Sequence, residues 1–68
     1  MDDERARRCL VTYRGTLADG SEGEIRLEIA AAAATLADGW ERLCARFGTV
    51  DPRSIEIEIR LVSLRLVA

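Results

Sequence analysis

Two segments of this chain alternate apolar residues with charged or polar ones, and this period of two predicts strands with one apolar face. Glu24–Ala30 reads EIRLEIA, and the C-terminal segment 54–68 begins SIEIEIRL. A third segment, Arg8–Leu17, alternates from Cys9 to Tyr13 and is rich in β-branched and aromatic residues. We therefore expect three strands, each with one face buried and the other in water.

The apolar alternation changes phase near the C-terminus. After Leu61 the next apolar residues, Val62 and Leu64, fall on the opposite parity. A bulge of one residue at this point would turn the later side chains to the other face, whereas a break would make 63–67 a separate fourth strand. In both cases Val62 and Leu64 form an apolar patch that is covered by Leu10 or by a second molecule.

A hairpin loop is predicted between the first two strands. Residues 18–23 read ADGSEG, and Asp19-Gly20 and Gly23 are the residue types that adopt the positive φ of tight turns.

One amphipathic helix is predicted in the run TLADGWERLCARFG. Thr35 with Asp38 three residues later resembles a capping box, and Gly48 stands where a glycine commonly ends a helix. Gly39 is expected to let the helix approach the strands closely. The apolar stripe expected to face the sheet consists of Leu36, Trp40, Leu43, Cys44 and Phe47. Ala31–Ala34 fit either a backward extension of the helix or a turn.

These elements predict an α+β domain with the order β-β-α-β. We expect two layers, an antiparallel sheet of three to four strands and one helix packed on one of its faces. If the first strand lies between the other two, the strand order is 2-1-3 and all neighbours are antiparallel. Residues 1–7 are charged and patternless, which predicts a flexible tail, and 8–68 form the single domain.

Composition narrows the classes of function. Ten arginines against twelve acidic residues give a net charge of −2, without the basic excess of a protein that binds phosphates, so we expect no direct nucleic-acid contact. The chain has no histidine, which removes the commonest general base and most zinc sites. We expect no enzymatic activity, no cofactor and no metal. An apolar run of about 20 residues is also missing, so the expected location is the cytoplasm rather than a membrane.

The two cysteines, Cys9 and Cys44, are expected to be reduced thiols buried as small apolar residues. The alternatives are a disulfide or a reactive thiol. A catalytic function would require thiol chemistry at one of these two positions.

Charged residues alternate with the apolar ones on the two outer strands. The expected outward set is Glu24, Arg26, Glu28, Glu56, Glu58 and Arg60. Arg14 of the first strand belongs to the same face, so the simplest interpretation is a solvated ladder of cross-strand ion pairs. The alternative interpretation is a charged surface for docking.

The layout of the whole chain resembles the very small phage-encoded inhibitor proteins of the anti-CRISPR type. The resemblance lies in a hairpin (LVTYRGTLADGSEGEIRLEIA), one amphipathic helix (TLADGWERLCARFG) and a returning strand (SIEIEIRL) within a short acidic chain. It implies a protein that binds a subunit of a CRISPR effector and blocks DNA recruitment or cleavage by occupying a surface. The small net charge departs from mimicry of DNA and implies a mixed apolar and charged contact.

The expected function is therefore that of a non-enzymatic protein-binding module, an inhibitor of a host nucleoprotein complex in the host cytoplasm. Its partner-binding residues are the six outward charges named above, with Val62 and Leu64 as apolar anchors. The alternative is a small homodimeric structural or assembly protein that pairs through its terminal strand.

Overall fold

The structure is a computed structural model, and it describes residues 7–61. The predictions for Val62, Leu64, the bulge or fourth strand and the first six residues of the tail lie outside the described residues. The elements are β1 (Arg8–Thr16), β2 (Glu22–Ala30), a 3-10 turn (Ala31–Ala33), α1 (Leu36–Phe47), a second 3-10 turn (Pro52–Ser54) and β3 (Glu56–Leu61).

The strands form one antiparallel sheet in the order β2-β1-β3, and α1 packs on one of its faces, so the predicted α+β fold and strand order are confirmed. The register pairs residues of the same parity across all three strands. Thr12 of β1, for example, lies between Arg26 of β2 and Glu58 of β3. The odd-numbered side chains, as far as Ile59, form the helix side of the sheet. The even-numbered side chains form the opposite face, called the open face below.

The hairpin loop is shorter than predicted, because β2 begins at Glu22. The Leu17 N–H donates to the Ser21 carbonyl at 2.8 Å, and Gly20 has a φ of 87°. The predicted positive φ at Gly23 is wrong, since Gly23 is a strand residue of β2. Its lack of a side chain serves packing instead: a Cβ there would lie 2.9 Å from Cδ2 of Phe47.

The helix begins and ends where the sequence predicts. The Thr35 side chain accepts a hydrogen bond from the Asp38 N–H at 3.1 Å. Gly48, with a φ of 90°, donates its N–H to the Cys44 carbonyl at 2.8 Å. The Asp38 carboxylate does not follow the expected capping box, because it accepts hydrogen bonds from Tyr13 and Arg42. Ala31–Ala33 form a turn, which decides between the two alternatives for this segment.

The buried core is small and consists of Cys9, Val11, Tyr13, Leu43 and Val50. Gly39 lies directly against Tyr13, where a Cβ would come within 2.6 Å of the ring carbon Cδ1. This contact confirms the expected close approach of helix and sheet. Tyr13 is fully buried because it occupies the helix side of the central strand.

The predicted apolar stripe of the helix is only partly buried. Gly39 and Leu43 are the buried residues of α1, and Cys44 is half-buried, whereas Trp40 is 41% exposed and Phe47 and Leu36 are also exposed. The prediction that Trp40 and Phe47 belong to the core is therefore wrong. The helix touches the central strand along Gly39 and Leu43, and a sheet of three strands is too narrow to cover residues on its flanks.

Both cysteines are free thiols, as the sequence predicts. Cys9 is buried and its Sγ donates to the Arg7 carbonyl at 3.6 Å, while Cys44 is half-buried against the core. Within residues 7–61, no helix has the length and apolar character needed to cross a membrane.

Candidate functional site

The candidate site is the open face of the sheet. Its central column comes from β1, and the outer columns come from β2 and β3. The register places all six predicted outward charges there: Glu24, Arg26 and Glu28 on one side, and Glu56, Glu58 and Arg60 on the other. Leu10, Thr12 and Arg14 of β1 lie between them, and Arg8 and Thr16 continue this column at its two ends.

A chain of ion pairs crosses this face from edge to edge, as the ladder interpretation predicts. Arg14 Nε lies 2.8 Å from Glu24 Oε1, and Arg14 Nη2 lies 3.4 Å from Glu58 Oε1. At the two ends, Arg26 Nε contacts Glu24 at 3.3 Å and Arg60 Nε contacts Glu58 at 3.2 Å. Exposed ion pairs contribute little to stability individually. In this arrangement they link five long side chains across the face.

The electrostatics of the chain of ion pairs centre on Arg14. Its hydrogen bond lowers the pKa of the Glu24 carboxyl, against the opposing effect of partial burial, and the charge of Arg26 adds to the lowering. The pKa of the Arg14 guanidinium is raised, chiefly by its hydrogen bond to Glu24. Arg14 therefore stays charged as the central cation of the face.

A shallow depression of about 270 Å³ lies in the middle of the open face. It is lined by Leu10, Val11, Thr12, Arg14, Arg26, Glu58 and Arg60. Thr12 is the shortest of these side chains on the open face, and it lies in register between two long ones. Leu10, which lines the depression, is 51% exposed. An apolar side chain next to a depression with an ordered charged rim can bind a complementary protein surface.

The structure brings some predicted site residues together and leaves others apart. Arg26, Glu58 and Arg60 surround the depression. Glu28 lies near one end of the face, where Arg8 Nε contacts it at 3.5 Å. Glu56 lies toward the other end, in register with Arg14.

The sequence prediction did not include Leu10 or Thr12 in the contact set. In that prediction Leu10 serves only as cover for the C-terminal apolar residues. The signal that identifies both is their even parity combined with the strand order 2-1-3, which puts the first strand at the centre of the face. Among residues 7–61 there is no group of three or more cysteine, aspartate and glutamate side chains that could hold a metal ion.

On the other side of the sheet, a hydrogen-bonded group joins the helix to the central strand. Tyr13 Oη donates to Asp38 Oδ2 at 2.7 Å, and Arg42 Nε donates to the same oxygen at 2.8 Å. Burial raises the pKa of Tyr13 far above its ordinary value, and the bond to Asp38 adds to this. Burial opposes ionisation of Asp38, but the bonds from Tyr13 and Arg42 outweigh it and lower the pKa of Asp38.

The single tyrosine allows this group to be tested by alkaline titration. The unfolded phenol ionises near its ordinary pKa of 10.0, whereas the folded one keeps its proton to higher pH. This contribution to stability is therefore complete below pH 10.0 and is lost as the pH rises towards the folded value. We expect phenolate absorbance and loss of circular dichroism to appear together, above the ordinary pKa. A reversible ionisation at the ordinary pKa in the folded protein would contradict the buried hydrogen bond.

The chain matches no protein-family model, and no curated protein or solved structure is significantly similar to it.

Proposed function

We propose that this protein is a non-enzymatic binding module that contacts a partner protein through the open face of its sheet. The observation that supports this most is the half-exposed Leu10 beside a depression whose charged rim is held by ion pairs. Preordered side chains lose less conformational entropy on binding than free ones. An exposed apolar side chain that becomes desolvated supplies the favourable term.

The charge balance of the face favours a protein partner over nucleic acid. Its even-numbered strand residues include four arginines, Arg8, Arg14, Arg26 and Arg60, and five glutamates, Glu22, Glu24, Glu28, Glu56 and Glu58. A surface that binds phosphates needs a clear excess of positive charge. A mosaic of both signs instead selects a partner with the complementary mosaic.

Within this class, the proposed role is inhibition of a host nucleoprotein complex, such as a CRISPR effector, in the host cytoplasm. The layout of hairpin, helix and returning strand supports this role, as does the mixed character of the open face. An inhibitor of this kind acts stoichiometrically, by occupying a surface that the complex needs for DNA.

The test compares binding by three forms of the protein: the native chain, Leu10→Glu and Ala37→Glu. Leu10→Glu introduces a carboxylate in the middle of the open face, whereas Ala37→Glu adds the same group to the exposed side of α1. We expect the native chain to retain a partner from host extract at a fixed ratio. We expect Leu10→Glu to raise the Kd for the partner at least about tenfold, which is a loss of about 1.4 kcal/mol of binding free energy.

Ala37→Glu should bind like the native chain, and all three forms should give the same circular dichroism. Full binding by a folded Leu10→Glu variant would place the contact elsewhere. Loss of binding in the Ala37→Glu variant alone would move the contact to the helix.

A further inference from the structure

Within residues 7–61, β3 pairs with β1 on one side and with no strand on its outer edge. An edge strand presents unpaired N–H and C=O groups that can pair with another strand. On the helix side of β3, Ile57 packs against the core, but Ile59 is 47% exposed. We propose that a second copy of this chain pairs antiparallel along β3 with Ile59 on the two-fold axis, which gives a continuous sheet of six strands.

The sequence of β3 is self-complementary in this register. Ile59 pairs with Ile59 of the second copy, and Ile57 pairs with Leu61. Glu58 pairs with Arg60, and the two-fold axis repeats this pair. Ile59 therefore meets Ile59 on the helix side and opposite charges meet on the open face, which is the combination that stabilises neighbouring strands.

Neighbouring registers are less complementary. An axis at Glu58 keeps two Glu56–Arg60 pairs but places Glu58 directly opposite Glu58, and an axis at Arg60 places two arginines directly opposite each other. An axis at Ile57 pairs Glu56 with Glu58 twice. A register shifted by a single residue places apolar side chains opposite charged ones. The choice of Ile59 as the central residue thus follows from the order EIEIRL in β3.

The flank of the helix supports the same interface. Leu36 and Trp40 are exposed, and at 100° per residue they lie on the flank opposite to Arg42 and Ala45. Arg42 and Ala45 line a groove against β2, so Leu36 and Trp40 lie towards β3. Both belong to the side of the molecule that the second copy would approach.

The spacing of the dimer explains why these side chains are needed. Each helix lies over its own β1, and the two copies of β1 would be three strand spacings apart, about 14 Å. Helices in direct contact are separated by only about 8–10 Å. Leu36, Trp40 and Ile59 of both copies would fill the intervening space.

The outer edge of β2 also has a complementary register, centred on Leu27. However, the apolar residues of β2 on the helix side, Ile25, Leu27 and Ile29, are already half-buried against the protein's own core. Pairing through β2 would therefore bury less new apolar surface than pairing through β3. This difference selects β3.

Charge reversal tests the proposed pairs. Glu58→Arg places two arginines opposite each other at both pairs, and Arg60→Glu places two glutamates there. We expect the native chain to sediment as a dimer at micromolar concentration. Each single variant should have a dimer dissociation constant raised at least about tenfold. An equimolar mixture of the two variants restores opposite charges at both pairs and should form a heterodimer. A monomeric native chain, or variants that dimerise as well as it does, would overturn the proposal.

Disulfide trapping tests the register independently of these charges. In a Cys44→Ser background, the Ile59→Cys variant should form a linked dimer on mild oxidation, because opposite residues in antiparallel strands lie about 4.5–5.5 Å apart. The matched variant Ile57→Cys should not link, since residue 57 is expected opposite residue 61. Linking through Leu27→Cys instead, or through Ile57→Cys, would overturn the proposal.

Pairing through β3 extends the sheet in its own plane, so it leaves the open face accessible. Leu10→Glu should therefore weaken partner binding without changing sedimentation. The Glu58→Arg and Arg60→Glu variants report on dimer formation. The proposal on partner binding and the proposal on the dimer can therefore fail independently.

Discussion

Tyr13→Ala is expected to leave the protein unfolded at room temperature. Tyr13 is fully buried on the central strand, and its ring lies against Gly39 of the helix. Replacing a buried large aromatic side chain with alanine costs about 3–5 kcal/mol. A single core in a domain of this size rarely supplies more than about 3–5 kcal/mol of net stability. Circular dichroism and a urea titration measure the result.

Tyr13→Phe is the matched control for that change. It keeps the ring and removes only the hydroxyl that donates to Asp38. Because Arg42 still donates to that carboxylate, we expect a loss of about 1 kcal/mol and a cooperative urea transition. A cooperative transition in Tyr13→Ala with a midpoint near that of Tyr13→Phe would show that the ring is not the centre of the core.

Gly39→Ala is the second change with a large expected effect, and its sign is diagnostic. From helix propensity alone, alanine should stabilise the helix interior by about 1 kcal/mol. The added Cβ, however, would lie 2.6 Å from Cδ1 of Tyr13, and the buried ring has little room to move. Overpacking of this kind costs about 1–3 kcal/mol or more, so we expect a net loss of stability.

Ala37→Gly measures the effect of helix propensity alone, because it makes the reverse exchange at an exposed helical position. It should lower the free energy of unfolding through propensity alone. If Gly39→Ala raised the midpoint of urea unfolding, the close approach of helix and sheet would be refuted.

Much of the fold follows from local features of the sequence. The alternation in EIRLEIA and SIEIEIRL is incompatible with a helix, and Thr35 and Gly48 mark the two ends of α1. The strand order follows because each neighbouring pair is then antiparallel. The strand patterns and the helix ends depend on residues near one another in the sequence, and the strand order depends on the directions of successive strands, which is why they could be predicted.

The exposure of Trp40 could not be predicted in the same way. A helical stripe of about 100° contains Trp40 and Phe47 as well as Leu43, and periodicity does not tell which of them approaches the sheet most closely. The contact of Gly39 with Tyr13 decides this, and it joins residues that are far apart in the chain. The helix is rotated so that its smallest residue faces the largest core side chain.

Part of the candidate site could be predicted from the sequence, and part of it depends on how the strands are arranged. Parity alone placed the six charges of the outer strands on one face, and the register confirms that placement. Parity alone does not predict the depression, because its lining depends on the register that places the short Thr12 between Arg26 and Glu58. Leu10 acquires its central position from the same arrangement.

Hydroxyl-radical footprinting of the protein with its partner tests the central claim most directly, because it reads the exposure of individual side chains. Leu10, Trp40 and Phe47 are all substantially exposed in the structure. The proposed contact predicts that Leu10 loses its reactivity when the partner binds, while Trp40 and Phe47 react as they do in the unbound protein. A Leu10 that stays reactive while Trp40 and Phe47 become protected would contradict the proposal that the open face is the binding surface.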